Sequence, residues 1–173
     1  MKLSARLLPF VTSLLLAPIA FGAVPLLVEV RARNFDVITS EGKRVPLNDL
    51  LPADRPAVVE FWATWCAPCR KTIPHLIELS KPYPDAKLTI LGLTVEDPTT
   101  DAAKVQKFAS ELGVTYPVAF ATRELFQFMN QRERIGVPKV LIYDAAGHVV
   151  EHIQTYSPLT NRRIENAVIR AIP

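Results

Sequence analysis

The chain has 173 residues, with 20 basic and 17 acidic side chains and a formal charge of +3, which suits one ordinary domain and little besides. Apolar residues make up 49% and charged residues 21%, a balance that excludes a disordered chain. Lys2 and Arg6 lie in the N-terminal segment, and without them 18 basic residues face 17 acidic ones, so there is no electrostatic case for a nucleic-acid partner.

The N-terminus reads as a targeting segment. Lys2 and Arg6 form a positive start, no charge follows from Leu7 to Val28, and Leu14 to Ala20 is an apolar core. Ala20 and Gly22 have the small side chains that a signal peptidase prefers. The expected division is a signal peptide over residues 1–22, a linker over 23–34 and one domain over 35–173. The alternative is an uncleaved N-terminal membrane anchor, because the 22 uncharged residues from Leu7 to Val28 are enough to span a bilayer. Pro9, Pro18 and Pro25 argue against a buried first helix. Either reading delivers the rest of the chain to the periplasmic or extracytoplasmic side.

Phe35–Ile38 and Lys43–Leu47 pair as a hairpin across Ser40-Glu41-Gly42. Asp49–Arg55 is a polar connection. Ala57–Trp62 is an apolar, β-branched run, expected as a buried central strand. A helix should run from Cys66 to Ser80 with Pro74 inside it, followed by a strand over Leu88–Val95. Thr100 or Asp101 starts a helix that Gly113 ends, with Val105, Phe108 and Leu112 on its apolar stripe. Tyr116–Ala121 is a short strand and Thr122–Asn130 a short helix. Lys139–Tyr143 and His148–Gln154 form a second hairpin through Asp144–Gly147, and Ile164, Ala167, Val168 and Ala171 mark a last helix. Strands alternating with helices give an α/β sandwich with helices on both faces of the sheet.

Cys66 and Cys69 are the two cysteines of the chain. A disulfide across so short a loop restrains the unfolded chain little, which makes the pair a poor staple and a good reversible switch. A zinc site would need two more ligands, and His75, His148 and His152 do not make a compact set; no metal or cofactor is expected. A strand enters the pair and a helix leaves it, so Cys66 lies at a helix N-terminus, where free amides favour the thiolate that attacks disulfides. Pro68 restricts the chain between the sulfurs. Glu60 lies within the apolar run Val58–Trp62. On a strand covered on both faces, burial would raise its pKa and make it a proton carrier near neutral pH. On an edge strand it would simply face water.

Here the chain resembles the thioredoxin superfamily. Phe-Trp-Ala-Thr-Trp-Cys-Ala-Pro-Cys at 61–69 is similar to that family's active-site segment, Pro74 to its helix-kinking proline, and Gly136-Val137-Pro138 to the loop that carries its cis-proline. Asp144–Gly147 is similar to its last hairpin turn, and the likeness covers roughly 35–172. The added N-terminal hairpin and an insertion between the Cys-X-X-Cys helix and Pro138 resemble the extracytoplasmic TlpA/ResA-like branch, whose members reduce disulfides in partner proteins such as apocytochromes. Two positions depart from that branch. Thr72 stands where its members often carry glutamate, and Glu60 stands where they often have asparagine, although plain thioredoxins have an aspartate there.

The resemblance implies a three-layer sandwich about a mixed central sheet and a redox-active Cys66–Cys69 disulfide. It also implies attack by Cys66, resolution by Cys69, and Glu60 beneath Cys69 as its proton acceptor. Trp65, Pro68, Val137 and Pro138 would meet the substrate, with the Val137 backbone pairing to an extended segment. The expected activity is that of an exported, monomeric reductant of disulfide-containing proteins, recharged by a membrane thiol electron donor. A disulfide oxidase or isomerase, or a protein holding copper or another soft metal on its thiols, stays open at this point.

Overall fold

The computed structural model describes residues 30, 33–83, 87–132 and 136–172. The segment read as a signal peptide or anchor, 1–22, lies outside them. No helix among the described residues is long and apolar enough to cross a membrane.

Among the described residues, seven strands form one sheet in the order β2-β1-β5-β4-β3-β6-β7. They are β1 (Asp36–Thr39), β2 (Arg44–Pro46), β3 (Ala57–Trp62), β4 (Thr89–Thr94), β5 (Val118–Ala121), β6 (Lys139–Tyr143) and β7 (Val149–Ile153). The central strands β3, β4 and β5 run parallel. β1 and β6 flank them antiparallel, and the outer strands β2 and β7 pair antiparallel with β1 and β6 in turn, so the sheet is mixed. The helices are α1 (Leu47–Leu50), α2 (Cys69–Ser80), α3 (Ala102–Leu112), α4 (Arg123–Arg132) and α5 (Thr160–Ala171).

Alternation along the strands divides the interior between two faces. Val59, Phe61, Leu91, Leu93, Leu141 and Tyr143 pack with Leu47 of α1 and with Leu125 and Met129 of α4. On the other face Val58, Ile90, Val140 and Ile142 meet Leu76 of α2 and Ile164 and Val168 of α5. Trp62, Phe120, Ile73, Val105 and Phe108 continue that face beneath α2 and α3. The three-layer sandwich is therefore complete, with β3 buried at every position.

Several boundaries differ from those read in the sequence, each for a local reason. Val30 falls in the segment assigned as a linker, yet it is buried among the apolar side chains of the α1 and α4 face; the packed core reaches back beyond Phe35. The connection after β2 opens with the single turn α1, because burying both Leu47 and Leu51 on one side requires helical spacing. Pro117 has no amide to donate, so β5 starts at Val118 rather than Tyr116. The Cys-X-X-Cys helix starts at Cys69, not Cys66. Turns closed by Cys66 N–H to the Ala63 carbonyl (3.1 Å) and Cys69 N–H to the Cys66 carbonyl (3.1 Å) precede it. Pro68, with φ −64°, supplies the helical angle just ahead of the first turn.

Candidate active site

The site forms at the carboxyl ends of β3 and β4, where open α/β sheets place their reactive groups. β3 delivers the chain into Ala63-Thr64-Trp65-Cys66, and α2 carries it away from Cys69. The two sulfurs are bonded, with 5.3 Å between the Cα atoms. Both cysteines are buried on their residue surface, while Ala67 and Pro68 between them and Trp65 before them are exposed, Trp65 by 65%. The Cys69 amide also points at Cys66 Sγ, 3.2 Å away, so a backbone donor already faces the sulfur that would carry negative charge.

The loop before Cys66 is fastened from below. Glu96, two residues beyond β4 and 8% exposed, accepts from the Thr64 amide at 2.8 Å and the Thr64 hydroxyl at 2.6 Å. Lys104 on α3 donates to the same carboxylate at 2.9 Å. Burial works against this charge, but the bonds from Thr64 and Lys104 outweigh it and hold Glu96 below the usual carboxylate range. Thr64, Trp65, Arg70, Lys104, Lys107, Phe108 and Glu111 line an open groove of about 220 Å³ beside the disulfide. Arg70 lies 4.4 Å over the Phe108 ring and Lys71 5.2 Å over Tyr156, so rings brace the two cations that follow Cys69.

Glu60 is wholly buried, and β3 lies between β4 and β6; the water-facing alternative does not hold. The Thr72 hydroxyl is hydrogen-bonded to Oε1, and the Tyr116 hydroxyl stands 3.5 Å from Oε2. Desolvation raises the carboxyl pKa to about 8, although both hydroxyls act in the opposite direction. Burial and the nearby Glu60 charge raise the Tyr116 phenol well above its ordinary value, so it stays a donor. Space for this cluster comes from Gly92, the register partner of Glu60 on β4. A Cβ there would stand 3.0 Å from Trp62 Nε1 and 3.2 Å from the Tyr116 ring.

Lys139 sits opposite Phe61 in the β3–β6 register, which places Pro138 at the end of β3 where the cysteine loop begins. The Val137–Pro138 bond is cis. Pro138 is buried, and half-buried Val137 packs against the cluster that contains both cysteines. Sequence reading missed Glu96 and Tyr116, and it treated Thr72 only as a departure from a family pattern. Glu96 had one visible signal, an acid just past a buried apolar strand adjacent to the Cys-X-X-Cys strand. Tyr116 had none, since its contact with Glu60 spans 56 residues.

The pattern of the AhpC/TSA family matches residues 28–152. The thiol-disulfide oxidoreductase ResA of Bacillus thuringiensis (strain Al Hakam) is 34% identical over 123 residues, 70% of this chain and 66% of its own length. The chain thus spans just under two thirds of that relative. Among solved structures, a thioredoxin-family thiol:disulfide interchange protein of Chlorobium tepidum TLS superposes with a TM-score of 0.66 at 28% identity, covering 80% of this chain and 93% of that one. A secreted disulfide oxidoreductase of Mycobacterium tuberculosis shares the fold at 18% identity, with a TM-score of 0.65 over 82% and 98% of the two chains. Together with the sheet order and the Cys66–Cys69 pair at the end of β3, these matches make the fold thioredoxin-like and the chain a member of the AhpC/TSA family.

Proposed function

We propose that this chain is a thiol–disulfide oxidoreductase that works outside the cytoplasm as a monomer and reduces disulfides in partner proteins. The observation that carries this reading is the Cys66–Cys69 disulfide at the start of α2, with a buried acid linked through Thr72 to the same turn. In the reduced enzyme the Cys66 thiolate attacks a substrate disulfide. A Cys66–substrate disulfide forms and one substrate thiolate leaves. Glu60, ionised, accepts the Cys69 proton, and the Cys69 thiolate then attacks Cys66 Sγ. The second substrate thiolate departs, and the two electrons lost by the cysteines now reside in the substrate dithiol.

The surroundings support each step. The Cys69 amide directed at Cys66 Sγ favours the attacking thiolate. Trp65 and Pro68 offer exposed contact surface, and the Val137–Pro138 loop supplies backbone beside the sulfurs for an extended segment to pair with. Regeneration requires an external dithiol, and for an exported domain that donor is a membrane thiol carrier. The charge pattern of residues 1–28 supports export, with the segment either removed or kept as an anchor.

Trapping tests the reading. Cys69→Ser should accumulate mixed disulfides with substrate proteins, because attack survives and resolution does not. Cys66→Ser should form none and reduce nothing. The reverse pattern would exchange the roles of the two sulfurs, and adducts from neither variant would refute the activity.

A further inference from the structure

The Thr72 hydroxyl stands between two acceptors. Its Oγ1 is hydrogen-bonded to Glu60 Oε1 and lies 3.2 Å from the carbonyl oxygen of Cys69. A hydroxyl has one proton to donate, so it serves one of them at a time. Threonine within a helix commonly bonds the carbonyl one turn back, and Thr72 is three residues beyond Cys69. Glu60, Cys69 and Thr72 are all 0% exposed, so the three groups meet in the packed interior rather than at the surface.

Two arrangements satisfy the three groups. With Glu60 ionised, the Thr72 O–H donates to Oε1. With Glu60 protonated, its carboxyl O–H donates to Thr72 Oγ1, and the Thr72 proton turns to the Cys69 carbonyl. We propose that Thr72 is a positioning residue for disulfide exchange: its hydroxyl holds the Glu60 carboxyl against the turn that bears Cys69 and reverses its hydrogen bond as Glu60 gains and loses the Cys69 proton. Balance is simple. One proton leaves the Cys69 thiol for Glu60 and later leaves Glu60 for the departing thiolate or water; Thr72 gains and loses nothing. This inference rests on the reading of Glu60 as proton acceptor.

The groups around Glu60 make the assignment specific. Tyr116, from the connection between α3 and β5, is the other hydroxyl at the carboxyl, at the longer distance of 3.5 Å. Gly92 on β4 and Val140 on β6 occupy its register positions and bring no charge. Lys139, one position away on β6, belongs by alternation to the opposite face. From α2, Cys69 and Thr72 are the polar groups buried on this side, and α3 and α5 present Val105, Phe108, Ile164 and Val168 to the same face of the sheet. Burial, Thr72 and Tyr116 are what set the carboxyl's proton affinity.

The test compares Thr72→Val, which keeps the shape and removes the hydroxyl, with Thr72→Ser, which keeps the hydroxyl. Full-length protein labelled with carboxyl-13C glutamate is titrated by NMR, and the Glu60 resonance is identified by its absence in Glu60→Gln. Thr72→Val should raise the Glu60 midpoint by about one pH unit, the tenfold effect of one lost hydrogen bond to a charged group, while Thr72→Ser stays near wild type. The rising limb of the pH–rate profile for disulfide reduction should move to higher pH by the same amount and return in Thr72→Ser. A purely structural defect would instead slow the reaction equally at every pH. An unmoved Glu60 midpoint in Thr72→Val overturns the proposal. So does a midpoint that moves while the rate profile responds to Glu60→Gln alone. If the profile responds to neither substitution, the proton role of Glu60 fails, and the proposal with it.

Discussion

Replacing Glu60 with glutamine should stabilise the oxidised protein at alkaline pH and hardly at all at acid pH. Glutamine keeps the shape and can still accept from Thr72, but it does not ionise. In the fold the carboxyl titrates at about 8, against an ordinary 4.5, because burial penalises its charge. At about 1.4 kcal/mol per pH unit, ionising Glu60 within the fold costs roughly 5 kcal/mol more than in the unfolded chain. The sign follows from proton counting. Between pH 4.5 and about 8 the folded state holds a proton that the unfolded state has released, so stability falls as pH rises through this window and levels off above it. Glu96, Asp144 and Glu151 all titrate below the ordinary carboxylate range and so change stability only at more acid pH. Denaturant unfolding of wild type and Glu60→Gln at pH 5, 7 and 9 measures the difference. The variant should gain several kcal/mol on wild type from pH 5 to 9. Parallel pH dependences would refute the account of a buried, proton-holding Glu60.

Gly92→Ala places a methyl 3.0 Å from Trp62 Nε1 and 3.2 Å from the Tyr116 ring and should cost about 1–3 kcal/mol in thermal unfolding; a loss below about 0.5 kcal/mol would show that these rings yield freely. Glu96→Gln keeps an acceptor for Thr64 but loses the charge that Lys104 meets, lowering stability at pH 7 by about 1 kcal/mol. Because Glu96 sits below the usual range, that advantage of the wild type disappears as pH falls through its lowered value, and an equal deficit in acid would contradict the assignment. Trp65→Ala should leave stability within about 0.5 kcal/mol, as the side chain is 65% exposed. It should reduce kcat/KM on protein disulfides about tenfold through lost aromatic contact, and an unchanged value would remove Trp65 from the substrate surface.

The sequence made plain what depends on local pattern. Ala57–Trp62 is an apolar run interrupted by Glu60 alone and forms β3 over those same residues, and the Cys-X-X-Cys pair announces itself by spacing. Gly113 ends α3 in the left-handed conformation, φ 68°, which glycine adopts without strain. Contacts between distant segments were not legible. Thr64 and Glu96 are 32 residues apart and meet only because β3 and β4 lie side by side. The clamp on the cysteine loop is therefore a product of topology. Thr72 looked like a substitution for an expected acid; only the packing of α2 across β3 shows that its hydroxyl meets the carboxyl of Glu60. The exposed Arg70 and Lys71 lie over the rings of Phe108 and Tyr156, contacts that likewise join segments far apart in the chain.

The direction of electron flow is the central claim, and the reduction potential of the Cys66–Cys69 couple tests it most directly. Strong oxidants near −120 mV owe that value to a heavily stabilised reduced form, while thioredoxin lies near −270 mV. The visible support for a Cys66 thiolate is the start of α2 and the Cys69 amide at 3.2 Å, and an ionised Glu60 behind the pair would oppose further negative charge. Equilibration with glutathione buffers, followed by counting of free thiols, should therefore give a midpoint of about −250 mV or lower. A midpoint above roughly −180 mV, the value of protein disulfide isomerase, would contradict the reductase account and favour a donor of disulfides.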